Sequence, residues 1–421
     1  MQKLNTIELF VGCGGLLDGF EKSGHYNTVA SVEWQESACN TLINRLKNKY
    51  NYEDAEKRVL HFDIQRTKEL INGWDKDIEF DSHRGLKKVV NGRDIDVIVG
   101  GPPCQAYSVA GRIQDKDGMR KDYRNYLFES YLKVVKVYNP KIVVFENVEG
   151  MLSAMPDGES IVDKIKRGFN DYGFDIIDDI KGEALLDLSE FGVPQKRKRV
   201  ILVGLNRNYF RNKDKNQQIL KCFYNEILGR YKSEKKFNVH DAIMDLPKLK
   251  PTESDYRIGK RKYSHTPYKT DFNWHYPRYH NKRDMDIFSI LAKDIITGKN
   301  KYQSSEALKQ LYTEKTGKTS NIHKYYVLRW DKPSNTIPAH LKKDGLRHIH
   351  PDPEQARSIT VREAARLQTF DDDFEFLGSM GQNYEMIGNA VPPKFSEKLA
   401  NAIHDLLGME QAISPNSLKG N

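Results

Sequence analysis

Apolar and polar positions follow two rhythms over the first half of the chain. Short, nearly unbroken apolar runs occur at 6–11 (TIELFV), 28–33 (TVASVE), 95–99 (IDVIV), 141–145 (KIVVF) and 199–204 (RVILVG). They are too brief for helices and lack an alternating polar face, which predicts strands covered on both sides, as in a parallel sheet. Between them, 16–22, 36–48 and 126–138 (YLFESYLKVVKVY) carry apolar residues at helical spacing. This alternation predicts an α/β fold with an open, doubly wound sheet. The rhythm stops near residue 206, and segment 206–325 reads as polar and irregular. Helical spacing returns at 361–368 and at 392–407, where Pro392-Pro393 suits a first turn. The expected organisation is a first piece, 1–205, an inserted smaller domain, 206–325, and a second piece, 326–421, that completes the first and ends in a frayed tail.

Composition narrows the class. With 38% hydrophobic and 30% charged residues among 421, the chain is globular rather than disordered. No run of 18 apolar residues exists to form a transmembrane helix, and the N-terminal stretch lacks the charged start of a signal peptide. The four cysteines, Cys13, Cys39, Cys104 and Cys222, form no CxxC pair. A disulfide framework or cysteine-rich zinc site is therefore not expected, and a reducing, cytoplasmic setting is. The stretch Arg347-His348-Ile349-His350-Pro351 is read as structural, with no metal expected.

Charge is unevenly distributed. Segment 206–325 holds 26 basic and 13 acidic residues, whereas the remainder holds 41 and 45, so the net charge of +9 lies wholly in the insertion. There Tyr256, Arg257, Lys260, Arg261, Lys262, Tyr263, Tyr268, Trp274, Arg278 and Tyr279 interleave basic and aromatic side chains. A solvated lysine-rich face would explain charge alone. The mixture favours nucleic acid, whose phosphates, base edges and ring faces call for these residue types.

Candidate chemistry clusters at strand ends. Phe10-Val11-Gly12-Cys13-Gly14-Gly15 follows the first strand and opens a helix, as a turn built for close approach of a ligand to the backbone. The second strand ends at Glu33-Trp34, where an acid suits ribose hydroxyls and an indole suits adenine; Asp63 could accept from an adenine amino group. Gly100-Gly101-Pro102-Pro103-Cys104-Gln105 ends the fourth apolar strand, with prolines fixing the direction of the Cys104 thiol. The strand 141–145 runs into Glu146-Asn147-Val148, and Gln195, Arg197 and Arg199 alternate toward one side before another strand. A cysteine, a carboxyl and an arginine are thus expected on one rim.

These segments, together with Arg362-x-x-x-Arg366-Leu367-Gln368 and Gly388-Asn389-Ala390-Val391-Pro392, resemble the ordered motifs of cytosine-5 DNA methyltransferases over residues 5–205 and 326–405. The resemblance implies a Rossmann-like, S-adenosylmethionine-dependent fold whose insertion is a target recognition domain. It implies that Cys104 adds to carbon 6 of a cytosine flipped out of duplex DNA, that Glu146 assists at N3, that Arg199 holds O2, and that Arg197 helps. It further implies cofactor contacts at Phe10, Gly12, Gly14, Gly15, Glu33, Trp34, Asp63, Leu127 and Asn389, with S-adenosylhomocysteine as product. Gln105, Ser108, Arg112 and Arg124, in a polar loop running to about Asn125, become candidates for DNA contacts. The setting implied is bacterial or phage restriction–modification, with a monomeric enzyme and a cognate endonuclease as partner; a solitary methyltransferase is the alternative.

Rival readings fit less well. Amino-group methyltransferases carry an Asp/Ser/Asn-Pro-Pro-aromatic tetrapeptide, and this chain has Gly-Pro-Pro-Cys. An enzyme acting on transfer RNA shares the motifs but usually has a more modest insertion. A DNA-binding regulator without chemistry would not need Cys104, Glu146 and Arg199 together.

Overall fold

The computed structural model describes residues 3–103, 126–155, 158–319 and 325–413. Among these, contacts divide the chain into two compact units. One comprises residues up to Phe191, Lys198–Glu234 and those from Val391 onward; the other comprises Gly192–Arg197 and Lys235–Ala390.

The first unit is built on an eight-stranded sheet. Its strands are β1 (Leu4–Leu9), β2 (Tyr26–Glu33), β3 (Val59–His61), β4 (Val97–Gly100), β5 (Ile142–Val148), β6 (Phe174–Ile176), β7 (Leu185–Asp187) and β8 (Lys198–Asn206). The order is β3-β2-β1-β4-β5-β8, with β6 and β7 each pairing with β8. β1 to β5 run parallel, as their apolar runs predict, and Val97, Ile98, Ile142, Val143 and Val144 are fully buried. β8 runs antiparallel to β5, and β6 and β7 antiparallel to β8, so the sheet is mixed. Composition cannot reveal that direction, because a strand covered on both faces reads the same either way.

Helices α1 (Gly15–Lys22), α2 (Glu36–Tyr50) and α3 (Leu127–Tyr138) lie where helical spacing predicted them, followed by α4 (Ile161–Asp171) and α5 (Lys213–Cys222). The last helix of this unit, α6 (Pro393–Ile413), packs on α1, and the buried Tyr26 hydroxyl donates to the Ala400 carbonyl at 2.7 Å. The end of the chain thus completes the unit begun at its start.

The unit boundaries differ from those drawn on charge. Residues 206–234 belong with the sheet, because Leu220, Phe223, Tyr224 and Ile227 are buried there and the Tyr224 hydroxyl donates to the Ile201 carbonyl at 2.8 Å. Residues 326–390 belong with the second unit. Net charge follows the surface, whereas packing follows the few apolar positions among the lysines.

The second unit is more regular than its sequence suggested. Helices Lys282–Ile296 and Ser305–Thr316 bring Ile287, Phe288, Leu291, Leu308 and Leu311 together with Val327 and Ile349 in one apolar cluster. The signal was present: Met285, Phe288, Leu291, Ala292 and Ile295 recur at three- and four-residue intervals between charged neighbours. A hairpin of β9 (Lys250–Ile258) and β10 (Arg261–Thr266) stands apart from this cluster. Helices Val361–Leu367 and Met380–Asn389 complete the ordered elements used below.

Candidate active site at the carboxyl edge of the sheet

β1 lies between β2 and β4, so the strand order reverses beside it, and the turns after β1 and β4 leave the sheet side by side. In open α/β sheets that reversal opens a ligand crevice at the carboxyl edge. The register sets Leu9, Gly100 and Phe145 in one row, and Phe10, Gly101 and Glu146 are the first residues beyond it. Because β8 runs the other way, its beginning reaches the edge where β5 ends, and Val148 pairs with Arg199.

The glycine turn takes the shape its sequence called for. Phe10, Gly12 and Gly14 have φ of +57°, +57° and +93°, and a Cβ on Gly14 would lie 2.7 Å from Leu42 Cδ1. Among the described residues other than its chain neighbours, no atom lies within 4 Å of where a Gly12 Cβ would stand, so this part of the turn borders open space. Gly15 opens α1 and is buried. The Gly12 amide donates to Glu33 Oε2 at 2.8 Å, while Glu33 Oε1 accepts from the Gln35 amide at 2.8 Å. Burial pushes the Glu33 carboxyl up from its ordinary range, against these hydrogen bonds. Trp34 is 49% exposed, and its carbonyl lies 2.7 Å from His61 Nε2. Asp63, two residues beyond β3, accepts from the Gln65 amide at 2.9 Å. Leu127 is buried at the start of α3. One residue sequence reasoning passed over is Glu8, an acid inside apolar β1. It is buried, and burial reinforced by Glu33 pushes its carboxyl well above the usual range.

Glu146 and Arg199 meet as an ion pair, Nε to Oε1 at 2.8 Å, with only 11% and 12% of their side chains exposed. The other carboxylate oxygen is packed on Gly101, where a Cβ would stand 2.6 Å from Oε2. Any side chain at Gly101 would move the carboxylate, so this glycine holds the acid in place by what it lacks. The strands that lead here are tied by Tyr131, whose buried hydroxyl lies 3.1 Å from the Ile98 carbonyl of β4 and 3.0 Å from the Val144 carbonyl of β5. Sequence reading named this glycine pair without seeing its contact, since only the pairing of β4 with β5 brings it to Glu146.

Burial pushes the Cys13 and Cys39 thiols far above their ordinary range, and burial with Glu226 raises that of Cys222. None of the three is poised as a thiolate. Cys104, with Gln105, Ser108, Arg112 and Arg124, lies outside the described residues.

Arg197 departs from the expected convergence. Its buried guanidinium donates to the carbonyls of Ile337, Gly388 and Ala390 at 3.1, 3.0 and 2.9 Å. Gln195, equally buried, donates to Gln368 Oε1 at 2.7 Å and accepts from the Ile337 amide at 2.9 Å, and Gln368 donates to the Ile387 carbonyl at 2.6 Å. Three of the sequence motifs therefore close into one buried network in the second unit. β8 begins only at Lys198, so the alternation read across 195–199 is not that of a single strand. Asn389 is exposed at the end of its helix in this unit. His348 and His350 are buried, and among the described residues no cluster of three or more His, Cys, Asp or Glu is arranged to hold a metal.

Comparison with known proteins follows the same lines. The model of the C-5 cytosine-specific DNA methylase family matches residues 4–405. The chain is 33% identical to the type II methyltransferase M.Bpa9945I of Bacillus paralicheniformis, over 96% of this chain and 99% of that protein. It is 30% identical to the type II methyltransferase M.DdeI of Desulfomicrobium norvegicum, over 95% and 88%. An Escherichia coli prophage protein described as a DNA modification methyltransferase shares the fold, with a TM-score of 0.59 at 24% identity over 96% of this chain and all of that one. The chain belongs to the C-5 cytosine-specific DNA methylases and is a DNA cytosine-5 methyltransferase.

Proposed function

We propose that the enzyme methylates one cytosine within a short sequence of double-stranded DNA, as the modification half of a type II restriction–modification system. The restriction–modification setting is supported by the relatives, which are named as type II methyltransferases. A cytoplasmic, monomeric enzyme of bacterial or phage origin with a cognate endonuclease is the corresponding partner picture. No described helix is long and apolar enough to cross a membrane.

The observation that carries the reading is the Glu146–Arg199 pair, fixed at the sheet edge beside the turn that leads to Cys104. Carbon 5 of cytosine is a weak nucleophile until a group adds at carbon 6. Cys104 is assigned that addition, forming an S–C6 bond and displacing electron density toward N3 and O2. Glu146, held through Oε1 by Arg199, is assigned to donate to N3 from its other oxygen in the protonated form. Arg199 is assigned to O2, where negative charge gathers. Carbon 5 then takes the methyl group as the donor's bond to it breaks, and loss of the carbon 5 proton with cleavage of the S–C6 bond restores the ring and releases the thiolate. Arg197 is assigned the helping role.

S-adenosylmethionine is the proposed methyl donor, supplying an electrophilic methyl group. The residues fit it: each Glu33 oxygen retains acceptor capacity beyond its backbone bond, the Gly12 turn borders open space, and Trp34 is half exposed. Phe10, Gly12, Gly14, Gly15, Glu33, Trp34, Asp63, Leu127 and Asn389 are assigned to hold it. Gln105, Ser108, Arg112 and Arg124 are assigned to DNA.

The test uses purified full-length protein, tritiated S-adenosylmethionine, mixed-sequence duplex DNA and, in parallel, transfer RNA, with bisulfite sequencing of the DNA product. Label is expected at cytosines of one short DNA sequence, falling by about 10³-fold or more with Cys104→Ala. Label entering only transfer RNA would overturn the substrate, and undiminished transfer by Cys104→Ala would overturn the mechanism.

A further inference from the structure

The second unit carries many exposed cations, and two of them, Arg257 and Lys260, sit on its hairpin with no side-chain hydrogen bond or ion pair among the described residues. We propose that the β9–β10 hairpin is the element of this enzyme that enters the DNA major groove, with Arg257 reading a base edge and Lys260 holding a phosphate. The proposal rests on the double-stranded DNA reading above and adds the side chains that select the sequence.

An isolated two-stranded ribbon is marginal in water unless something braces it. Here the bracing is extensive. Tyr256 and Tyr263 are cross-strand partners whose rings stack at 5.5 Å and 16°. The Tyr256 hydroxyl donates to the His265 carbonyl at 2.8 Å, and buried His265 bonds through Nε2 to the Gln355 carbonyl at 2.8 Å. Lys262 donates to the Tyr279 hydroxyl and pairs with Asp255, each at 2.8 Å. The Arg261 guanidinium sits over the Tyr276 ring at 4.3 Å. These contacts fix the ribbon and occupy two of its cations.

Two others are left over. Between Tyr256 and Tyr263 lie Arg257, Lys260, Arg261 and Lys262 and no acid. The Arg257 and Lys260 side chains are exposed, and neither makes a hydrogen bond, ion pair or ring contact among the described residues. Lys260 occupies the two-residue turn behind Gly259, whose φ is +60°, so it projects from the tip. Strands spaced about 4.8 Å apart, with their side chains, suit a major groove about 12 Å wide. The planar guanidinium of Arg257 can bond the O6 and N7 of guanine together, whereas the ammonium of Lys260 is a point charge suited to phosphate. The competing account is a solvated ribbon whose lysines merely discourage edge-to-edge pairing.

The recognition sequence is first mapped for the wild-type protein by bisulfite sequencing. Affinity for that duplex and the marked sequences are then measured for Arg257→Ala, Lys260→Ala and, as a control from the same basic unit, the exposed Lys299→Ala, with near-UV circular dichroism to verify folding. Arg257→Ala is expected to weaken binding about 10- to 100-fold and to relax the marked sequence at one position. Lys260→Ala is expected to weaken all duplexes about equally and to reduce the slope of log affinity against log salt by about one. Lys299→Ala is expected to match wild type. Unchanged affinity and sequence in both hairpin variants, while wild type methylates DNA, would overturn the hairpin proposal alone. So would weakening by Arg257→Ala with no change in the marked sequence. Absence of DNA methylation by wild type would instead overturn the function on which it rests.

Discussion

Arg197 and Arg199 stand two residues apart and do opposite work. Arg199 stands near the start of β8 at the sheet edge and meets a carboxylate there, whereas Arg197 is sunk among backbone carbonyls of the second unit. The contrast extends to the units they belong to. At the sheet edge, charge is brought to a rim where a substrate can use it. In the second unit, buried charge is consumed internally: Arg357 pairs with Glu363 at 2.6 Å, and Arg362 donates to the carbonyls of Asn273, Asp371 and Phe374, each at 2.9 Å. A motif arginine therefore cannot be given a chemical role from its spacing alone, since the same residue type meets a carboxylate at the sheet edge in one case and serves as mortar in the other.

The sharpest way to break this comparison is to truncate both arginines. Arg197→Ala removes the guanidinium from the Ile337, Gly388 and Ala390 carbonyls, of which Ala390 keeps Gln368 Nε2 at 3.0 Å, and is expected to cost about 3–5 kcal/mol in urea unfolding. Arg199→Ala is expected to lower methyl transfer about 10²- to 10³-fold with a stability loss no greater than about 2 kcal/mol, because water can reach the open rim. If the two variants lose stability and turnover in equal proportion, the distinction fails.

A smaller effect probes the edge itself. Gly101→Ala places a methyl group against Glu146 Oε2 and is expected to reduce turnover about 10²-fold while leaving DNA affinity near wild type. Turnover within twofold of wild type would show that the carboxylate tolerates displacement.

The smallest effect per group sharpens the other side. Burial pushes His265 and His348 down to about 4 and His280 and His350 down to about 3. Below about pH 6.5 the unfolded chain takes up protons that the folded unit excludes. Stability is thus complete above that pH and falls as pH drops toward the folded values, by up to about 1.4 kcal/mol per unit for each histidine. Glu363 acts in the same direction at lower pH. Burial alone would raise its carboxyl, but Arg357 holds it well below the usual range, so its contribution is lost as acid protonates it. Urea midpoints measured from pH 7.5 to 4.5 provide the check, and a flat profile would contradict neutral buried histidines.

Much of the first unit was legible because its strands are buried on both faces and announce themselves as apolar runs. The glycine turn and Glu33, though far apart in sequence, were legible because each closes its own strand. The role of Gly101 was not, since it depends on which strand lies beside β4. The antiparallel course of β8 was hidden for the same reason. In the second unit, the helix Lys282–Ile296 carried a readable apolar period that lysines and aspartates diluted, whereas the carbonyl partners of Arg197 come from residues about 140 to 190 positions away. Side chain–backbone bonds of that span leave no pattern in a sequence.

The reversed course of β8 has a consequence for timing. An acid near the end of one strand and its partner near the start of the next are borne by the same hydrogen-bonded ladder, two rungs apart. Neither rides on a hinge, so the pair has no closing stroke of its own and rests already assembled between turnovers. On the proposed mechanism the clock of the catalytic cycle would then be set elsewhere, by the entry of the base and the departure of the product, and sheet-borne Glu146 and Arg199 would add no conformational delay to it.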